Sequence, residues 1–238
     1  MKKTLGILGG MGPLATADLF KKIVEMTDAD SDQEHIHIII DNNCEIPDRT
    51  KFIKTGKNSP IEQMLLSAKR LEANNVDCII MPCHTAHYFY DEIRSQINVP
   101  FINMIEVTAE YISKHYKQVK RTGLLATEGI YISGIYKKIF NKFNIEIIEP
   151  ELKYKKYITN AIYSMKKGCL VNEKEIDETI LHLKGLGAEY FILGCTELPI
   201  VFKNLNINEK CLDPTSILAQ SAIRFFNKEI VNTSHLYL

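Results

Sequence analysis

The sequence predicts an α/β protein of two pseudo-symmetric lobes, each a parallel-sheet α/β sandwich, with the active site in the cleft between them. Three observations lead there. Apolar runs of strand length alternate with amphipathic helical stretches along the whole chain, the pattern of β–α units feeding parallel sheets. The runs are continuously apolar rather than alternating, as in strands covered on both faces. The chain also repeats itself: residues 71–83 read LEANNVDCIIMPC and residues 183–195 read LKGLGAEYFILGC. Each copy has a helix end, an acidic residue (Asp77, Glu189), an apolar strand and a cysteine, with a threonine close behind at Thr85 and Thr196.

The elements follow in order. A strand over 5–8 enters a glycine-rich turn, Gly9-Gly10-Met11-Gly12-Pro13, and a helix over about 15–26. A strand over 36–40 leads to a loop carrying Ile46-Pro47-Asp48-Arg49-Thr50, then a helix over 59–74. The strand over 78–81 delivers Cys83, and a helix over 85–96 follows. A strand over 101–103 and a helix over 105–115 come next. The start of the first lobe then rhymes with a strand over 123–125, where Gly123-Leu124-Leu125-Ala126-Thr127 echoes Gly6-Ile7-Leu8-Gly9-Gly10. A helix over 133–143, a strand over 145–148 and helices over 157–167 and 173–185 precede the strand over 190–193 that delivers Cys195. A last helix spans 215–226. The first lobe is therefore expected over residues 1–99 with 213–238 returning to it, and the second over 100–212.

Bulk properties narrow the function. The 29 basic and 29 acidic residues cancel, where a nucleic-acid binder carries a basic excess on one face. No stretch is apolar enough for a membrane span. Lys2 and Lys3 precede a run too short for a signal peptide, so a cytoplasmic protein is expected. The six cysteines form no C-x-x-C pair and are expected as free thiols. His84 and His87 beside Cys83 lack a second ligand pair, so no metal is expected. The glycine-rich turn lacks both the G-K-[ST] ending and the G-x-G-x-x-G spacing of phosphate loops.

Ligands of parallel α/β sheets bind at the carboxyl ends of the strands. Both repeat cysteines fall there, each ahead of a helix start whose free N–H groups and dipole are expected to favour a thiolate. Two facing cysteines suit inversion at carbon: one thiolate removes a proton, and the other thiol delivers one from the opposite side.

These residues resemble the aspartate/glutamate/hydantoin racemase superfamily, and within it the aspartate racemase branch. The resemblance rests on the opening motif over 6–16, the Ile46–Thr50 loop, Met81-Pro82-Cys83-His84-Thr85-Ala86-His87, Leu125-Ala126-Thr127 with Ser133, Gly134 and Tyr136, and Leu193-Gly194-Cys195-Thr196-Glu197-Leu198-Pro199. It implies a homodimer and racemisation of a small acidic amino acid without pyridoxal phosphate or any other cofactor. It makes Cys83 and Cys195 the acid/base pair. It places Arg49 and Lys166 on the substrate's side-chain carboxylate, which suits a guanidinium fork and an ammonium point charge. It sets Met11, His84, Thr85, Thr127, Thr196 and Glu197 around the remaining substrate groups. Glu197 after Cys195-Thr196 matches the aspartate branch, where cell-wall glutamate racemases carry histidine. Two residues depart from the pattern: His84 stands where asparagine is usual and Ile130 where threonine is. Alternatives within the superfamily are a broad-specificity amino-acid racemase, a hydantoin racemase and a maleate isomerase. From another class, a catalytically silent binder of acidic amino acids fits the same fold.

Overall fold

The strand β1 (Thr4–Gly9) is buried at every residue, as its uncharged sequence allows for the middle of a sheet. The computed structural model in which it lies describes residues 3–231. The described residues divide into two compact units, 3–107 with 215–231, and 108–214.

In the first unit, α1 (Pro13–Met26) buries Ala15, Thr16, Leu19, Ile23 and Met26, the three-to-four spacing of one helix face. The strand β2 (His37–Asn42) pairs in parallel with β1. The short α2 (Arg49–Thr55) starts on Asp48, whose carboxylate accepts the Lys51 N–H at 2.7 Å. The helix α3 (Ile61–Ala73) packs on β1 and β2, and β3 (Cys78–Ile80) closes the order β2-β1-β3. A 3₁₀ turn, Thr85–Phe89, and α4 (Tyr90–Arg94) follow, and α5 (Met104–His115) carries the chain onward.

The second unit repeats the plan. The strand β4 (Arg121–Ala126) lies centrally, and α6 (Glu128–Ser133) and α7 (Ile135–Asn141) follow it. The strand β5 (Glu146–Ile148) joins one side of β4, and α8 (Leu152–Lys166) and α9 (Glu173–Gly185) lead to β6 (Tyr190–Gly194) on the other. Then come α10 (Leu198–Asn204) and β7 (Cys211–Leu212), giving the parallel order β5-β4-β6-β7. The helix α11 (Pro214–Phe225) begins the return to the first unit, where Ile230 bridges antiparallel to Thr27 at the end of α1. The remainder of the expected returning segment, 232–238, lies outside the described residues.

The sequence repeat is a repeat of hydrogen bonds. Asp77 accepts the Thr4 N–H at 2.6 Å while its own N–H donates to the Thr4 carbonyl at 2.7 Å. Glu189 accepts the Arg121 N–H at 3.2 Å while its own N–H donates to the Arg121 carbonyl at 3.1 Å. The acidic residue of each copy thus pins the start of its unit's central strand, and the apolar run behind it enters the sheet in the same register. Even the fourth position corresponds: Phe101 makes a parallel bridge beside β3, where the second unit has β7 beside β6.

The structure corrects several sequence expectations. The strand expected over 101–103 is that single bridge. Because it holds Phe101 to Ile79, the chain leaves the first unit within α5, after residue 107, rather than near Pro100. The single helix expected over 85–96 is broken at Phe89. The helix expected from 157 starts at Leu152. Three short helices, α2, α6 and α10, and the strand β7 had too few residues to show a period. Finally, β2 is not covered on both faces: it is an edge strand, and Ile40 is 37% exposed. Among the described residues no helix is long and apolar enough to cross a membrane.

Candidate active site

In the first unit, the turn after β1 is built by close approach. Gly10 has φ +89°, and a Cβ there would stand 2.2 Å from the Asn43 carbonyl oxygen. A Cβ on Gly9 would stand 2.5 Å from Thr16 Cγ2. Both positions therefore exclude a side chain. The Gly10 N–H donates to Thr16 Oγ1 at 3.0 Å, and the Thr16 hydroxyl donates to the Gly12 carbonyl at 3.1 Å. The next loop is fixed by Asn43, whose amide donates to Ser67 Oγ at 3.0 Å.

Arg49, the first residue of α2, ties the two loops together. Its Nη2 donates to the Met11 carbonyl at 3.0 Å, and its Nη1 donates to the carbonyls of Ile46 at 3.2 Å and Pro47 at 3.0 Å. Its Nε is buried and has no hydrogen-bond partner among the described residues. Met11 contributes its carbonyl to this brace, and its side chain joins the apolar core with Ile46 and Cys83.

Cys83 lies beyond the end of β3 and is 7% exposed. His84 and Thr85 follow it, both buried. His87 holds this loop from behind. Its Nδ1 lies 2.8 Å from the Cys83 carbonyl, and its Nε2 accepts the Met104 N–H at the start of α5 at 3.0 Å. An Nε2 that accepts leaves the proton on Nδ1, which donates to Cys83. Burial lowers the His87 pKa to about 4, so the ring is neutral. Asn43 and His87 were not among the expected site residues. Nothing in the sequence marks Asn43, whereas His87, four residues after Cys83, has the spacing for a bond back to that residue's carbonyl.

In the second unit, Cys195 follows β6 directly and is also 7% exposed. Its thiol donates to Glu197 Oε2 at 2.8 Å, and the Thr196 hydroxyl donates to the same oxygen at 3.2 Å. The other carboxylate oxygen of Glu197 lies 3.6 Å from the ammonium of Lys166, the last residue of α8. Thr127 caps α6, its carbonyl accepting the Ile130 N–H at 3.0 Å. Ile130, where the resemblance led to threonine, is a buried core residue.

The thiol of Cys195 is pushed well above the ordinary range, first by burial and then by the Glu197 charge, with Lys166 opposing. This corrects the expectation that the helix start would favour a thiolate at Cys195. The helix after Cys195 is short and begins only at Leu198, and burial, together with the Glu197 carboxylate that accepts the thiol's hydrogen bond, outweighs it. Glu197, expected among the substrate binders, has Oε2 on Cys195 and Thr196 and Oε1 beside Lys166. Among the described residues no group of three His, Cys, Asp or Glu side chains could hold a metal ion.

Residues 8–222 match the Asp/Glu/Hydantoin racemase family. The chain belongs to this family. It is a racemase, and therefore an isomerase. A solved structure similar to this racemase is the aspartate racemase of Picrophilus torridus, 30% identical, with a TM-score of 0.84 over 99% of each chain. An aspartate racemase homologue from Pyrococcus horikoshii is 25% identical, with a TM-score of 0.76 over 95% of this chain and all of that one. Among curated proteins, the broad specificity amino-acid racemase RacX of Bacillus subtilis is 27% identical over 227 residues, 92% of this racemase and 96% of that protein.

Proposed function

We propose that the chain racemises an acidic amino acid, aspartate first and glutamate second, by proton transfer between Cys83 and Cys195 without any cofactor. The supporting observation is that each unit brings a buried cysteine to the end of the equivalent strand and has a cation braced in the same unit. In the first unit that cation is Arg49. Its orphaned buried Nε–H is costly as it stands, about 1–3 kcal/mol, and a bound carboxylate would relieve it. In the second unit it is Lys166 beside Glu197.

The reaction uses side chains alone. A thiolate on one face of the substrate takes the Cα proton, and the electron pair moves toward the α-carboxylate. The thiol on the other face gives its proton to Cα, so the configuration inverts. In the opposite direction the cysteines exchange roles. The reading requires the two thiols to reach opposite faces of one Cα. It assigns the backbone and hydroxyl groups of Met11, Thr85, Thr127 and Thr196, with His84, to holding the α-carboxylate and α-ammonium. It also carries a homodimer, checked by light scattering, and a cytoplasmic setting that keeps the thiols reduced.

The likeness to RacX favours a second reading, a racemase of broad specificity. A scan of L-aspartate, L-glutamate, L-alanine and L-lysine, followed by chiral chromatography without added pyridoxal phosphate, separates the two. The acidic reading predicts kcat/KM for aspartate at least tenfold above alanine and lysine. Equal or greater activity on alanine or lysine overturns it in favour of the second.

A further inference from the structure

The array on Cys195 carries more than substrate contact. We propose that Glu197 is a positioning residue that holds Cys195 in its protonated form in the resting enzyme, with Lys166 restraining the strength of that hold. This deepens the two-cysteine reading and rests on it: it names which cysteine waits as the acid.

The argument is geometric. The Sγ–H of Cys195 donates to Glu197 Oε2 at 2.8 Å, a charge-assisted bond that only the protonated sulfur can make. Ionised, the sulfur would stand at the same distance from a carboxylate as a like charge. The Thr196 hydroxyl shares Oε2 and keeps the carboxylate turned toward the sulfur. Lys166, reaching over from α8, neutralises part of the Glu197 charge from its far oxygen. Tyr131 on α6 and Tyr136 on α7 also face Cys195. Burial holds both phenols neutral, so they do not offset Glu197. Asp213 faces Tyr136 and adds negative charge rather than positive. Burial already favours the thiol, the Glu197 carboxylate adds to it, and Lys166 and the Glu197 backbone N–H oppose it.

One consequence is an asymmetric cycle. When Cys195 has given its proton to Cα, the sulfur is left as a thiolate beside a carboxylate. It regains a proton from water, while the other cysteine returns to water the proton it took from the substrate. A racemase has equal kcat/KM in its two directions because its equilibrium constant is one. Glu197 therefore cannot favour one isomer in kcat/KM, and its effect falls on pH dependence.

The test is the ionisation of Cys195, followed on the full-length protein by the pH dependence of iodoacetamide labelling of the Cys195 peptide in mass spectra. The pH profile of kcat/KM for aspartate is measured beside it. Glu197→Gln is expected to move both the labelling midpoint and the alkaline limb of the profile down by about one to two pH units. Glu197→Asp keeps the charge and is expected to restore much of the shift. Lys166→Met, which removes only the restraint, is expected to move the labelling midpoint upward, and serves as the deciding variant if Glu197→Gln does not fold. A Glu197→Gln protein whose midpoint and alkaline limb stay in place overturns the proposal, as does a Lys166→Met midpoint that stays in place or falls. Cys195→Ser, assayed alongside, keeps the two ideas apart. If it still racemises aspartate, the two-cysteine reading has failed. If it is inactive and Glu197→Gln shows no shift, only the role of Glu197 has failed.

Discussion

Acid should destabilise this protein in part through the buried ring of His87. His87 is 1% exposed and has both nitrogens engaged, one on the Cys83 carbonyl and one on the Met104 N–H. Protonation would strip the second bond of its acceptor and place a charge in the core. Burial accordingly lowers the pKa from 6.5 to about 4, the Cys83 bond opposing only in part. Between those values the unfolded chain binds a proton at this position and the folded chain does not. Stability from the neutral ring is thus complete above about pH 6.5, is lost as the pH falls toward 4, and changes no further below that. At about 1.4 kcal/mol per pH unit, the window amounts to about 3 kcal/mol. Urea unfolding followed by circular dichroism, run side by side on the parent and His87→Gln, isolates this term from the carboxylates common to both. At neutral pH the variant should be less stable by about 1–3 kcal/mol through its lost hydrogen bonds. Toward about pH 4 the gap should close by about 3 kcal/mol. A gap that stays constant with pH would refute the buried, neutral His87 and the tautomer deduced from it.

Two further outcomes follow from the loops. Gly10→Ala meets both a φ of +89° and the Asn43 carbonyl at 2.2 Å, so it should lower stability by more than about 2 kcal/mol in the same unfolding assay; parent-like stability would mean that the turn is not packed this way. Arg49→Lys retains a charge but cannot span the carbonyls of Met11, Ile46 and Pro47. It should raise the KM for aspartate at least tenfold and lower stability by about 1–3 kcal/mol, measured by initial rates and by unfolding.

Much of this was readable from the residues because the decisive signals are local. The apolar runs at Leu5 and at Cys78 are strands since nothing in them tolerates water, and the paired motifs at Cys83 and Cys195 lie at equivalent strand ends. The repeated acidic residues were visible as a pattern, but their work, Asp77 on Thr4 and Glu189 on Arg121, was not, because it joins residues about seventy positions apart. The same limit hid Asn43 behind Gly10 and the reach of Arg49 to Met11. Short helices such as Leu198–Asn204 span about two turns, too few to show a period in the sequence. The thiolate expected at Cys195 failed for a different reason. A helix start favours a thiolate only where the sulfur is open to it, and here burial and the carboxylate two residues along both favour the thiol.

The central claim, proton transfer at Cα by two cysteines, is tested most directly by proton NMR of L-aspartate in deuterium oxide with the purified protein and no pyridoxal phosphate. The parent should replace the Cα proton with deuterium while D-aspartate forms, and Cys83→Ser and Cys195→Ser should each reduce racemisation at least a hundredfold. Racemisation that survives either substitution would contradict the account.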